Sequence, residues 1–318
     1  MSLHLIAGGA GFIGVNLARA LLARGERVVA VDDLSRGTLD AMSPLQEMEG
    51  FSFVQADCSD PDQLLDVVRG GKLDVAEIWH MAANSDIPAG VEDYKVDLQQ
   101  TFLTTVGILD VMKRCSIGVL HFASSSAIYG DLGDKLIHED IGPLHPISNY
   151  GAMKLASEAQ IRAALEAFLE RVSVFRFPNV IGVPATHGVI LDFVHKLQAT
   201  PGTLPVLGNG TQQKAYLHVD DLIRAMLHIR ELRQRFAVFN IGPTDDGITV
   251  RSIAERVRDR INPRAAIAFG EGNRGWVGDV PRFRYSLERL LQSGWAPTMG
   301  SAAAVDRAID EIVGQEVR

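Results

Sequence analysis

Tyr150 and Lys154 stand four residues apart at the start of a helical stretch that runs through Phe168, so both side chains share one helix face. A phenol titrates near about pH 10, and a neighbouring ammonium favours its anion, which is the pairing a tyrosinate base and its lysine tuner require. Such a pair also arises by chance in a chain of this length, as a surface contact or a core tyrosine, and it needs a second witness. The segment Phe122-Ala123-Ser124-Ser125-Ser126-Ala127-Ile128-Tyr129-Gly130 provides one, an apolar run ending in a serine cluster. Such serines cap turns in many proteins; at the carboxyl edge of a sheet they also stand where a substrate must sit.

The elements that would position these groups begin with Leu3 to Ala7, which leads straight into Gly8-Gly9-Ala10-Gly11-Phe12-Ile13-Gly14 and then a helical pattern. Glycines at 8, 11 and 14 allow a tight turn and close approach of a pyrophosphate to a helix N-terminus, with Phe12 and Ile13 in the same turn. Three glycines alone fit an ordinary strand-to-helix turn. The context argues for a dinucleotide: the next apolar run ends in Val31-Asp32-Asp33, placing a carboxylate about twenty residues on, where it would accept from a ribose 2′-hydroxyl and repel a 2′-phosphate. NAD is therefore expected over NADP, with Asp32 as the principal acid and Asp33 and Ser35 beside it. Arg36 is the opposing observation, since an arginine there could serve a 2′-phosphate. Asp57 and Cys58 close the third strand, Ala82 and Ala83 the fourth, and with Phe177 these complete the expected cofactor contacts. A bound nicotinamide, being positive, would favour the Tyr150 anion further.

Short apolar runs at 3–7, 28–31, 51–55, 78–81, 119–123 and 172–177 alternate with amphipathic segments such as 12–23 and 94–115. This rhythm predicts an α/β, Rossmann-type doubly wound parallel sheet with right-handed crossovers. After Asn179 glycine and proline punctuation takes over, which predicts a smaller C-terminal α+β substrate lobe. The expected division is an NAD-binding domain over 1–178, with a return segment near 216–242, and a substrate lobe from 179–215 and 243–318.

The 318 residues are 47% hydrophobic and 22% charged, the composition of an ordinary globular chain. A formal charge of −8 without a basic block argues against nucleic acid as a partner. Cys58 and Cys115 have no metal-like spacing, so no metal is expected, and two lone thiols suggest a reducing, cytoplasmic setting. The first residues read as part of the fold rather than as a targeting segment, and no membrane partner is expected.

Taken together, these residues resemble the extended short-chain dehydrogenase/reductases, specifically the NAD-dependent epimerase/dehydratase group acting on nucleotide sugars. The resemblance runs from Leu3 to about Thr298 and rests on the glycine turn, Asp32, His80-Met81-Ala82-Ala83, Ser124 to Gly130, Tyr150 to Lys154, Arg176 to Gly182, Gly208 to Gln212, His218-Val219-Asp220-Asp221 and Gly278-Asp279-Val280-Pro281. It implies that Ser125 helps Tyr150 hold the sugar 4-hydroxyl, that Lys154 also grips the nicotinamide ribose, and that Ser126 supports the substrate. It further implies a diphosphate held by Asn179 and Lys214, the latter replacing a usual arginine and so lacking a bidentate fork. Arg274, then Arg282 and Arg284, are candidates for another phosphate contact. A homodimer is implied, formed through the helices over 94–115 and 150–168.

Dehydratases of the group carry an Asp-Glu pair where this chain has Ser126 and Ala127, and UDP-glucuronate decarboxylases carry Glu at the latter position. Elimination of water needs that additional acid and base, whereas epimerisation does not. The expected reaction is thus 4-epimerisation of a UDP-sugar of the UDP-glucose/UDP-galactose type: hydride leaves C4 for tightly held NAD, the 4-keto sugar turns over, and hydride returns to the other face. The similarity is greatest to a compact branch of UDP-glucose (UDP-galactose) 4-epimerases. The alternatives are another nucleotide-sugar C4 oxidoreductase that releases its cofactor, a UDP-glucuronate 4-epimerase or dehydratase, and an NAD-sensing binding protein. His187, Trp276 and Trp295 stay outside the expected site, the tryptophans as core residues.

Overall fold

The computed structural model describes residues 1–272 and 284–316. The chain forms two compact units, one of Met1–Gly130, Pro143–Arg176 and Ile223–Phe239, the other of Asp131–Gly142, Phe177–Leu222 and Asn240–Arg318.

The first unit is built on a seven-stranded sheet. Its strands are β1 (Leu3–Ala7), β2 (Arg27–Asp32), β3 (Phe51–Gln55), β4 (Val75–His80), β5 (Val119–Ala123), β6 (Arg171–Arg176) and β7 (Phe236–Asn240). Their order is β7-β6-β5-β4-β1-β2-β3, and every neighbour pair from β3 to β6 is parallel. Helices on both faces explain why the strands read as continuous apolar runs: all five residues of β1 are buried. On one face Leu5, Ile78, Leu120 and Val172 pack with Ile108 and Met112 of α2 (Thr104–Cys115) and with Ile161 and Leu165 of α3 (Asn149–Ala167). Strand order reverses beside β1, where Ala7 is the register partner of His80. Ligands of doubly wound sheets bind at the carboxyl ends flanking such a point. This is the Rossmann-type sheet that the alternating pattern predicts.

The helical stretch expected over 94–115 is continuous and carries a π-helical turn, Leu98–Leu103, between Tyr94–Asp97 and α2. Within this turn Thr101 Oγ1 accepts the backbone N–H of Asn84 at 3.1 Å, and Thr104 Oγ1 donates back to the Thr101 carbonyl at 3.0 Å.

In the second unit Asn179–Ile181 runs parallel to Tyr216–His218, Gln213–Lys214 pairs antiparallel with Ile248–Thr249, and Thr203–Val206 runs parallel to Ala266–Phe269. Its core gathers Phe193, Leu197, Leu204, Ile253, Val257 and Ile309. Among the described residues no helix is long and apolar enough to cross a membrane.

Candidate active site

The glycine turn is shaped by close backbone approach. Gly8 has φ +78°, and a Cβ on it would lie 2.5 Å from the Ala82 nitrogen, which brings the end of β4 against the turn. A Cβ at Gly14 would lie 2.2 Å from the Gly8 carbonyl, so the first turn of α1 (Phe12–Ala23) packs onto the loop that feeds it. Gly11, the N-cap, makes no side-chain cap, and the first helical turn carries no acidic residue. An uncapped helix N-terminus free of carboxylates suits an anionic diphosphate.

Asp32 is buried at the end of β2, its Oδ2 accepting from Ala10 N at 3.0 Å and its Oδ1 from Leu34 N at 2.9 Å. Burial raises its carboxyl above the usual range, while those two backbone N–H groups work against that. Each carboxylate oxygen keeps a lone pair for a further donor, as a ribose diol would supply. Arg36 is turned to an ion pair with Asp86 at 3.3 Å. Asp33 Oδ1 accepts from both the backbone and the hydroxyl of Ser35, at 2.9 and 2.6 Å. Asp57 accepts from Ser59 N at 2.7 Å, and the neighbouring Cys58 thiol is buried and pushed up by that burial. Phe12, Ile13, Ala82 and Ala83 are half-buried around the turn and the end of β4. These features fit a dinucleotide with a free 2′-hydroxyl.

The chemistry-bearing group stands at the carboxyl end of β5. Ser125 caps the 3-10 turn Ser126–Tyr129, its Oγ accepting from Ala127 N at 3.1 Å, and its side chain acts on the Tyr150 phenol. Ser126 is buried in that turn. Tyr150 and Lys154 occupy one face of α3, which Ser148 starts by accepting from Gly151 N. Lys154 is 1% exposed; its Nζ donates to the Ala123 carbonyl at 2.6 Å and lies 5.8 Å from the centre of the Tyr150 ring.

The protein's own electrostatics differ from the expectation of a tyrosine lowered by its lysine. Burial drives the Tyr150 phenol up to about 12; the Ser125 side chain opposes this and the charge of Asp97 reinforces it. Burial lowers the Lys154 ammonium to about 7, against the pull of Glu158 and then Asp97. Desolvation disfavours both charged forms.

Two groups that the sequence reading left out stand beneath this site. Glu158, one further turn along α3, receives Arg176 Nε at 3.0 Å and Nη2 at 2.6 Å, together with the Ser124 hydroxyl, while Arg176 Nη1 donates to Tyr129 OH at 3.0 Å. The row Tyr150, Lys154, Glu158 at steps of four was legible as one helix face. Asp97 and its partner Asn84 carry no such periodic signal. His80, buried and held well below its ordinary value by burial, lies 2.9 Å from Thr105 Oγ1, which donates to Ser157 Oγ at 2.9 Å.

Of the residues expected to hold substrate phosphates, Asn179 and Lys214 belong to the second unit. Asn179 is the register partner of Tyr216 and donates to the Ala215 carbonyl at 3.5 Å, next to Lys214. Phe177 is half-buried at the start of the same unit. Arg284 is in an ion pair with Asp246 at 3.3 Å. Arg274, Arg282 and Trp276 lie outside the described residues. Trp295 is 6% exposed, as a core residue should be, and His187 is exposed.

A Rossmann-type sheet with a glycine turn, an acid at the end of β2 and a Ser-Tyr-Lys group beyond β5 defines a dinucleotide-dependent enzyme of the short-chain dehydrogenase/reductase kind. Residues 4–242 match the NAD dependent epimerase/dehydratase family, and the chain belongs to that family. It is 31% identical to the UDP-glucose 4-epimerase of Streptomyces lividans, covering 96% of this chain and 94% of that protein. A crystal structure of UDP-galactose 4-epimerase superposes with a TM-score of 0.85 at 30% identity, over 99% of this chain and 100% of the other. The Thermus thermophilus UDP-glucose 4-epimerase in complex with NAD gives 0.84 at 26%, over 98% and 99%.

Proposed function

We propose that this protein interconverts the C4 epimers of a UDP-sugar of the UDP-glucose/UDP-galactose type, keeping its NAD through each turnover. The observation that carries this reading is a buried Lys154 tied to the Ala123 carbonyl at 2.6 Å and standing 5.8 Å from the centre of the Tyr150 ring, with Ser125 acting on the same phenol. Bound NAD supplies the acceptor and returning donor of the C4 hydride. Tyr150 takes the proton of the 4-hydroxyl and gives it back to the carbonyl oxygen of the 4-keto sugar, while Ser125 holds that oxygen in line. Lys154 provides positive charge beside the phenol, which favours the tyrosinate needed at the first step. Ser126 supports the substrate from the 3-10 turn, and Asn179, Lys214 and Arg274 hold its diphosphate. Gly8, Gly11, Gly14 and Asp32 hold the cofactor.

Epimerisation is favoured over dehydration because Ser126 and Ala127 carry no carboxylate with which to eliminate water. The relatives described above are named as 4-epimerases, which supports the same choice. A homodimer fits the exposed apolar residues Val91, Tyr94, Leu98 and Val106 along the segment preceding and entering α2. The free thiols of Cys58 and Cys115 support a cytoplasmic setting.

The test is incubation of the purified protein with UDP-galactose, UDP-glucuronate, UDP-N-acetylglucosamine and GDP-mannose, with and without added NAD, followed by NMR of the products. C4 inversion of a UDP-hexose without added NAD is expected. A 4-keto-6-deoxy product with no inversion would refute the reading.

A further inference from the structure

Ser125 heads the 3-10 turn Ser126–Tyr129, which continues from the end of β5. A single 3-10 turn has poorly aligned hydrogen bonds and adds little stability of its own, so its shape depends on what packs against it. Three contacts with other elements fix this one. At its start the Ser124 hydroxyl donates to Glu158 Oε1 of α3. In its middle the Ala127 carbonyl lies against Gly151 of the same helix, where a Cβ would stand 2.4 Å away. At its end the Tyr129 hydroxyl accepts from Arg176 Nη1 at 3.0 Å, with the guanidinium 5.3 Å from the centre of the Tyr129 ring.

The two outer contacts meet in one ion pair. Arg176 Nε donates to Glu158 Oε1 at 3.0 Å and Nη2 to Oε2 at 2.6 Å, so the carboxylate that receives Ser124 and the guanidinium that holds Tyr129 are fixed to each other. Ser124, Tyr129, Glu158 and Arg176 are all buried. A buried ion pair contributes little net stability, because desolvation offsets its attraction, whereas a two-pronged guanidinium–carboxylate contact sets both distance and plane. Glu158 also belongs to the helix that carries Tyr150 and Lys154, four residues beyond the lysine. Both ends of the serine turn are thereby referred to that helix.

We propose that Glu158 and Arg176 are positioning residues of this active site: through Ser124 and Tyr129 they clasp both ends of the Ser125 turn and hold it against α3. The inference rests on the functional reading above and deepens it. A displacement of about 1 Å at a reacting group costs about a hundredfold in rate, so a slack clasp should lower turnover more than substrate binding. An ion pair that only stabilised the fold would leave kcat unchanged in variants that remain folded.

The experiment uses NAD-loaded protein and two variants that each remove one hydroxyl and leave both charges in place, Ser124→Ala and Tyr129→Phe. Either serves alone if the other fails to fold. With UDP-galactose, kcat should fall by about tenfold to a hundredfold while KM changes little. In a Ser125→Ala background the same changes should add little further loss, because they act through Ser125. Hydrogen exchange of the segment 124–130, read by mass spectrometry without turnover, should quicken while that of β1 and β2 keeps its rate. An unchanged kcat in the folded variants would overturn the proposal, and so would equal losses with and without Ser125. Inactivity of the wild-type protein on UDP-sugars would overturn the functional reading alone; exchange of 124–130 then decides the clasp, faster exchange sustaining it and unchanged exchange overturning it.

Discussion

Arg176 closes a two-pronged ion pair on Glu158, Nε to Oε1 at 3.0 Å and Nη2 to Oε2 at 2.6 Å, joining the end of β6 to the helix that carries Tyr150 and Lys154. Both side chains are about nine-tenths buried. Glu158→Ala therefore strands a buried guanidinium and is expected to cost about 3–5 kcal/mol of unfolding free energy in urea titrations. The double variant Glu158→Leu with Arg176→Met should cost clearly less than the two single changes added together, because neither charge is then left alone.

Tyr150→Phe keeps the ring in place on α3 and removes only its hydroxyl. Turnover should fall by about a hundredfold to ten-thousandfold while NAD affinity, measured by fluorescence titration, changes little. Full activity in this variant would exclude Tyr150 from proton transfer.

Asp32→Asn leaves one carbonyl oxygen for Ala10 N or Leu34 N and removes the charge that would meet a 2′-phosphate. Loss of a charged acceptor is worth about 1.5–3 kcal/mol, so the Kd for NAD should rise by about tenfold to a hundredfold. The preference for NAD over NADP should narrow at the same time, measured as the ratio of the two Kd values. An unchanged ratio would show that selectivity lies elsewhere.

Acid should destabilise the fold through a buried cluster on the sheet. Burial alone would raise the Glu77 carboxyl, but the hydrogen bond and charge of His121, with Arg230, outweigh it and hold the group at about 2 against an ordinary 4.5. A carboxyl lowered in the folded state contributes stability above its ordinary value, and that contribution is lost as pH falls from there toward the folded value. His4 and His121 are lowered, chiefly by burial, so each resists protonation in the fold and destabilises it once pH drops below 6.5. All three act in one direction. The urea midpoint should fall continuously from about pH 7 to about pH 2, the histidines governing the upper part, and Glu77→Gln should flatten the part below about pH 4.5.

The local features of the site were legible in the chain alone because local rules govern them. A glycine turn depends on consecutive residues, Asp32 on the length of one strand-helix-strand unit, and the Tyr150–Lys154 face on a helical repeat of 3.6. Ser125 became identifiable because the serine cluster ends an apolar strand. By contrast, nothing in the periodicity of 94–115 announces the π-helical turn Leu98–Leu103 or the approach of Asn84 N–H to Thr101 Oγ1.

The amino-acid sequence by itself determined the doubly wound sheet and the places of the glycine turn and of the Tyr150–Lys154 helix face, all of which follow from short-range pattern. Only the tertiary structure decided which buried charges meet: Arg176 at the end of β6 comes to Glu158 of α3 although the two are distant along the chain. It also decided the sign of the perturbation at Tyr150, since desolvation depends on everything packed around the phenol and no spacing of two residues encodes that sum.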